Sequence, residues 1–175
     1  GDMYSWEKVK QSLTLEPTAI STPAERVIDQ QTAFLMDSML KDVILRGTGR
    51  KAKVLNRSDI AGKTGTTNGP RDAWFSGYSP DLVATAWVGF DDNSVLGRNE
   101  YGGSAALPIW IQFMGEVLSE NPIVVKRQPN GIVMVKIDAK TGKRIPPHQQ
   151  GIYEFFKSEN VPAAPDDENA STESE

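Results

Sequence analysis

The stretch that decides the fold is Ala61-Gly62-Lys63-Thr64-Gly65-Thr66-Thr67. It lies within Ile60 to Thr67, which reads as a strand despite its glycines. Side chains alternate between the two faces of a strand, so Thr64 and Thr66 point together and Lys63 points to the opposite face. Glycine at position 65 lets another backbone or a ligand approach closely. The arrangement suits a groove in which an extended anionic ligand lies along a strand edge.

Ala73 to Tyr78 reads as a second strand and Leu82 to Phe90 as a third, joined by a hairpin turn at Ser79-Pro80-Asp81. Ala84, Ala86 and Val88 share one face of the third strand, and Val83, Thr85 and Trp87 the other. Upstream, Asp29 is the expected N-cap of a helix whose stripe is Thr32, Leu35, Met36, Met39, Leu40 and Val43, with Gly47 as its C-terminal cap. Arg46, Arg50, Lys51, Lys53 and Arg57 follow with no acid between them and read as a solvated basic loop. Downstream, a second helix is expected from about Ala105 to Leu118. Pro108 sits in its first turn, and its stripe is Leu107, Trp110, Ile111, Met114 and Leu118. Pro129-Asn130-Gly131 turns into a short strand, Ile132 to Ile137; Asp138 to Gly142 is another turn, and Ile152 to Phe156 a last edge strand. The class is α+β, an antiparallel sheet packed by helices.

Composition narrows the chemistry. The chain has 175 residues and a net charge of −4. Residues 157–175 hold one base and six acids, and the remaining body holds 18 bases and 17 acids. A nearly neutral body has no long-range attraction for nucleic acid or for a membrane surface. From Pro162 onward the chain is mostly Pro, Ala, Ser and acid with no large apolar side chain, the composition of a disordered tail. There is no cysteine and only one histidine, His148, which excludes thiolate nucleophiles and thiolate or His-cluster metal sites, and argues against a Ser-His-Asp triad. No metal or other cofactor is expected. No apolar run approaches the roughly 18 residues of a membrane span, and Gly1-Asp2-Met3 does not resemble a signal peptide.

Two catalytic motifs share letters with the deciding stretch. A P-loop would end in Gly62-Lys63-Thr64, but it requires glycine where Arg57 stands and a helix directly afterwards; here Asn68-Gly69-Pro70 breaks the chain instead. The Lys-Thr-Gly box of penicillin-binding proteins and serine β-lactamases fits the strand, loop and hairpin context. Lys-Thr-Gly arises by chance in about one chain of this length in 25, and with Thr66 in roughly one in 500.

Beyond the box, Val27 to Leu118 closely resembles the C-terminal half of the transpeptidase domain of class A penicillin-binding proteins. The resemblance rests on Gln31-Thr32-Ala33-Phe34-Leu35-Met36, Arg46-Gly47-Thr48-Gly49, Ser58 through Thr67, and Asp72-Ala73-Trp74-Phe75-Ser76-Gly77-Tyr78. It continues through Trp87-Val88-Gly89-Phe90-Asp91, Tyr101-Gly102-Gly103 and Ala106-Leu107-Pro108-Ile109-Trp110. It implies a peptidoglycan D,D-transpeptidase, with a glycosyltransferase elsewhere in the same protein. A serine of a Ser-x-x-Lys motif attacks the penultimate D-Ala carbonyl of a stem peptide, and the acyl group passes to an amine of a neighbouring stem; β-lactams block the serine. By the same resemblance, Lys63 and Thr66 are catalytic: Lys63 supplies charge and supports proton transfer, and the Thr66 N–H is an oxyanion donor. Thr64, Gly65, Thr66 and Thr67 bind substrate, with the Thr64 and Thr66 hydroxyls on its carboxylate. The implied partners are stem peptides, β-lactams and the N-terminal half of the domain, and the implied location is the periplasmic face of the inner membrane, through an anchor not in this chain.

Ser5-Trp6-Glu7-Lys8 and Ser38-Met39-Leu40-Lys41 match Ser-x-x-Lys, but both lie too close to the box. Ser119-Glu120-Asn121 and Ser158-Glu159-Asn160 match Ser-x-Asn, but they follow it. All four read as decoys, which leaves the nucleophile outside the chain. The expected organisation is a weakly patterned segment 1–26, the half-domain 27–120, a trailing β segment 121–160 and the acidic tail 161–175. Two other readings stay open: a D,D-carboxypeptidase or serine β-lactamase relative, and a non-catalytic module whose basic loop 46–57 holds an anionic polymer.

Overall fold

A computed structural model describes residues 25–163. Ser5, most of the opening segment and the acidic tail from residue 164 lie outside the described residues. Helix α1 spans Gln30–Leu45. Strands β1 (Ala61–Thr66), β2 (Asp72–Ser79) and β3 (Leu82–Gly89) form one antiparallel sheet in that order. Helix α2 (Leu107–Val117) follows, then β4 (Ile132–Ile137) and β5 (Ile152–Lys157), which pair with each other in a separate two-stranded sheet. The expected α+β architecture is present, with each strand of the first sheet within one residue of its expected limits.

Asp29 caps α1 as its position predicts. Its carboxylate accepts the Thr32 N–H and the Thr32 hydroxyl, each at 2.7 Å, and these bonds, the hydroxyl's foremost, hold its pKa down to about 2. The other end departs from expectation. The Arg46 and Gly47 N–H groups both donate to the Asp42 carbonyl, and Gly47 is not left-handed. Glycine is needed there because a Cβ would lie 2.8 Å from the Val43 Cα.

The periodicity of α1 also misleads. Met36 and Met39 are exposed, whereas Asp37 and Ile44 are buried. Asp37 is tolerated inside because Lys126, Lys41 and the Tyr78 hydroxyl reach its carboxylate at 2.7, 3.0 and 3.0 Å. Burial pushes that carboxyl up, but the two lysines more than offset this and leave it below its ordinary range. The same burial, followed by the Asp37 charge, raises the Tyr78 phenol.

The core lies between the sheet and α2. Phe75, Ala73 and Ala86 meet Leu107, Trp110 and Met114, all buried. Phe75 and Trp110 pack edge to face at 4.9 Å, and the Trp110 indole N–H donates to the Ala84 carbonyl at 3.1 Å. Each such large side chain, fully buried, contributes on the order of 1.5–3 kcal/mol. α2 starts two residues later than expected because a single π-turn, Gly102–Ala106, precedes it. Pro108 takes the first turn, where its missing N–H leaves no bond unmade.

After α2 an ionic clamp holds the chain. Arg57 grips Asp59 through two hydrogen bonds (3.0 and 2.8 Å) and donates to the carbonyls of Leu118, Asn121 and Pro122. Asp59 also accepts the Val124 N–H at 3.0 Å. The β4–β5 hairpin then docks on α1 through a Phe34–Phe155 edge contact at 5.0 Å and a Gln31 to Asn130 carbonyl bond at 2.8 Å.

Candidate functional site

The register of β1 against β2 sets the geometry. Thr64 lies opposite Phe75 and Thr66 opposite Ala73, on the α2 side of the sheet; Lys63 lies opposite Ser76, on the other side. The hydroxyls thus share one face, and Lys63 takes the opposite one. β1 is the edge of its sheet among the described residues, and an edge strand leaves alternate N–H and C=O groups for a ligand to meet.

Thr64 and Thr66 open on a groove of about 540 Å³ lined also by Gly47, Thr48, Arg50, Lys51, Asn99, Tyr101, Gly103 and Ser104. Three stretches far apart in sequence meet here. Thr48, from the turn after α1, shares a 2.7 Å hydrogen bond with the Thr64 hydroxyl. The Thr66 hydroxyl accepts the Gly102 N–H at 3.0 Å. Only glycine fits at 102, since a Cβ would stand 2.3 Å from the Trp74 carbonyl and 2.6 Å from that of Gly65. Ser104 holds the turn by accepting the Tyr101 N–H at 2.8 Å and donating to the Asn99 carbonyl at 2.6 Å.

These bonds decide what the groove can offer. A hydroxyl that already accepts a backbone N–H is free to aim its own proton elsewhere, so Thr66 presents a donor. The Thr48–Thr64 pair uses one of its two protons internally and presents the second. Arg50 and Lys51 add positive charge, and among the described residues no carboxylate lines the groove. Two hydroxyl donors beside two cations make a site for an anion such as a carboxylate.

The other expected site residues are placed differently. Lys63 is exposed on the far face, in a cross-strand row with Ser76 and Thr85, and its Nζ donates to the Thr64 carbonyl at 3.0 Å. It does not line the groove, so the positive charge beside the hydroxyls comes from Arg50 and Lys51. The Thr67 hydroxyl accepts the N–H groups of Arg71 and Asp72 at 3.1 and 2.9 Å; it closes the β1–β2 connection. Gly65 contributes backbone, pressed between Trp74 and Gly102. Ser38 sits mid-helix in α1, where Lys41 pairs with Asp37. Ser119 donates to the Glu116 carbonyl, and Ser158 opens a short 3-10 turn. None of these three serines lines the groove. Among the described residues no group of His, Asp and Glu could hold a metal, and no helix is long and apolar enough to cross a membrane.

Sequence reasoning assigned Arg50 and Lys51 to a solvated loop and gave Thr48, Asn99, Tyr101 and Ser104 no role. Their signal lay in Arg46-Gly47-Thr48-Gly49 and Tyr101-Gly102-Gly103, two of the segments that carry the family resemblance.

The family model of the penicillin binding protein transpeptidase domain matches residues 7–115. Penicillin-binding protein 1A of Pseudomonas aeruginosa is 54% identical over 154 residues, covering 87% of this chain and 18% of that protein. The Vibrio cholerae protein of the same name is 43% identical over 152 residues, with 73% and 18% covered. The crystal structure of penicillin-binding protein 1A from Haemophilus influenzae superposes with a TM-score of 0.73 at 41% identity, over 80% of this chain and 22% of that one. The chain thus spans about a fifth of the length of these relatives. On the family match, the identity to its 1A members and the shared fold together, the chain belongs to the penicillin-binding protein transpeptidase family.

Proposed function

We propose that this chain supplies the Lys-Thr-Gly wall of a serine D,D-transpeptidase site that cross-links peptidoglycan and is blocked by β-lactams. The observation that carries the reading is the pair of outward hydroxyl donors, one from Thr66 and one from the Thr48–Thr64 pair, set beside an edge strand in an anion-binding groove. A D-Ala-ended stem peptide presents a terminal carboxylate to that groove, and its penultimate carbonyl lies along the edge. A backbone N–H of the strand, that of Thr66, stabilises the developing oxyanion, the kind of contact worth about 3–4 kcal/mol. The serine nucleophile, its lysine and a Ser-x-Asn serine come from elsewhere in the longer protein, whose stem-peptide partners and glycosyltransferase belong to this same reading. Lys63 faces away from the carboxylate groove, toward the side where those groups dock, and assists proton transfer there. The site works at the periplasmic face of the inner membrane, held by an anchor in another part of the protein.

The basic-loop alternative loses its continuous charged face, because Arg46 pairs with Asp42 and Glu154 and Arg57 with Asp59. The test is labelling of the complete protein by a fluorescent penicillin. Lys63→Ala is expected to slow acylation by about an order of magnitude or more, the scale of losing one catalytic group, with little change in melting temperature. Unchanged labelling removes Lys63 from the site, and release of the label within minutes favours a β-lactamase or carboxypeptidase.

A further inference from the structure

Resting on that reading, we infer that Arg50 and Lys51 are specificity-determining residues that recognise the substrate's terminal carboxylate together with Thr64 and Thr66. The five bases between Arg46 and Arg57 divide sharply in the fold. Arg46 is tied to Asp42 and Glu154, and Arg57 to Asp59 and three carbonyls. Lys53 is exposed away from the groove. Arg50 and Lys51 alone among the five line the groove, and neither is paired with an acid among the described residues. They open the short 3-10 turn Arg50–Leu55, which Gly49 separates from Thr48, whose hydroxyl binds Thr64. The cationic side chains and the hydroxyl donors therefore reach one volume from adjacent positions. Lys63, the cation that the motif alone would choose, extends from the opposite face of β1. A carboxylate seated on the hydroxyls is then neutralised from the Thr48 side of the groove, and Lys63 is left for the chemistry on the other side.

The experiment compares benzylpenicillin with its methyl ester on the complete protein, measuring the second-order acylation rate constant of each. Arg50→Gln combined with Lys51→Gln is expected to lower the acid-to-ester preference by about fivefold or more, the scale of losing exposed charge-assisted contacts, while the ester rate holds. Lys53→Gln is expected to leave the preference unchanged. On the wild-type protein, raising ionic strength is expected to slow the acid and spare the ester. The ester rate reports that the variant is folded; if it falls with the acid rate, the wild-type salt titration decides. A double variant that keeps the full acid preference, or a wild-type preference insensitive to salt, overturns the inference. Failure of the wild-type protein to react with either compound sinks the transpeptidase reading instead.

Discussion

Thr66 joins the two halves of the proposed recognition, since its hydroxyl accepts the Gly102 N–H and leaves its proton for the ligand. Thr66→Val removes that donor and also strands the Gly102 N–H. It is expected to lose about 1–3 kcal/mol of transition-state binding toward a free-acid penicillin. The loss should shrink for the methyl ester; equal losses for acid and ester would mean that Thr66 acts through packing. The alternation of hydroxyl and lysine along β1 was legible in the sequence because strand period is a local property. The partners of those hydroxyls were not. Thr48 and Gly102 are brought to β1 by a helix end and a π-turn, and no local period links them to residues 64 and 66.

At the scale of the elements, the sheet and α2 are held by one close fit. A Cβ on Gly77 would lie 2.6 Å from the Trp110 ring, so Gly77→Ala must displace the largest buried side chain. The expected destabilisation is about 1–3 kcal/mol by denaturant titration, as overpacking in a close-packed core gives; an unchanged midpoint would mean that α2 is loosely seated. The buried carboxylates make a second element-scale prediction. Burial raises Asp59, but the Arg57 bonds and the Val124 N–H more than offset this, and it sits below its ordinary range, as Asp37 does. Groups lowered by folding stabilise above their unfolded pKa, about 3.9, and lose that contribution as pH falls through the folded value. The melting temperature should be flat from about pH 7 to 5 and drop below about pH 4. Asp59→Asn should reduce that acid slope, and at pH 7 should lower stability by about 3–5 kcal/mol by leaving Arg57 unpaired. A slope unchanged by Asp59→Asn would place the acid sensitivity elsewhere. These clamps explain why α1 was only half legible. Its start followed from Asp29, but its buried face includes an aspartate made tolerable by Lys41 together with the distant Tyr78 and Lys126, and a hydrophobic stripe cannot announce that.

For the whole molecule, the two helix stripes meet different fates. Trp110 and Met114 are buried against the sheet, whereas the face carrying Lys63 also shows Trp74, Val83 and Trp87, all exposed, and α1 shows Met36 and Met39. An apolar patch beside a motif lysine marks an interaction surface. On the proposed reading it is where the part of the protein bearing the nucleophile docks. Residues 1–175 in isolation are then expected to be poorly soluble and to form no penicilloyl adduct, and a polypeptide carrying the N-terminal half should restore both folding and labelling. Peptide mapping by mass spectrometry of the complete protein after reaction with benzylpenicillin tests the account most directly. The account predicts a single adduct on a Ser-x-x-Lys serine outside residues 1–175; an adduct on Ser38, or on any other serine of this chain, would contradict it.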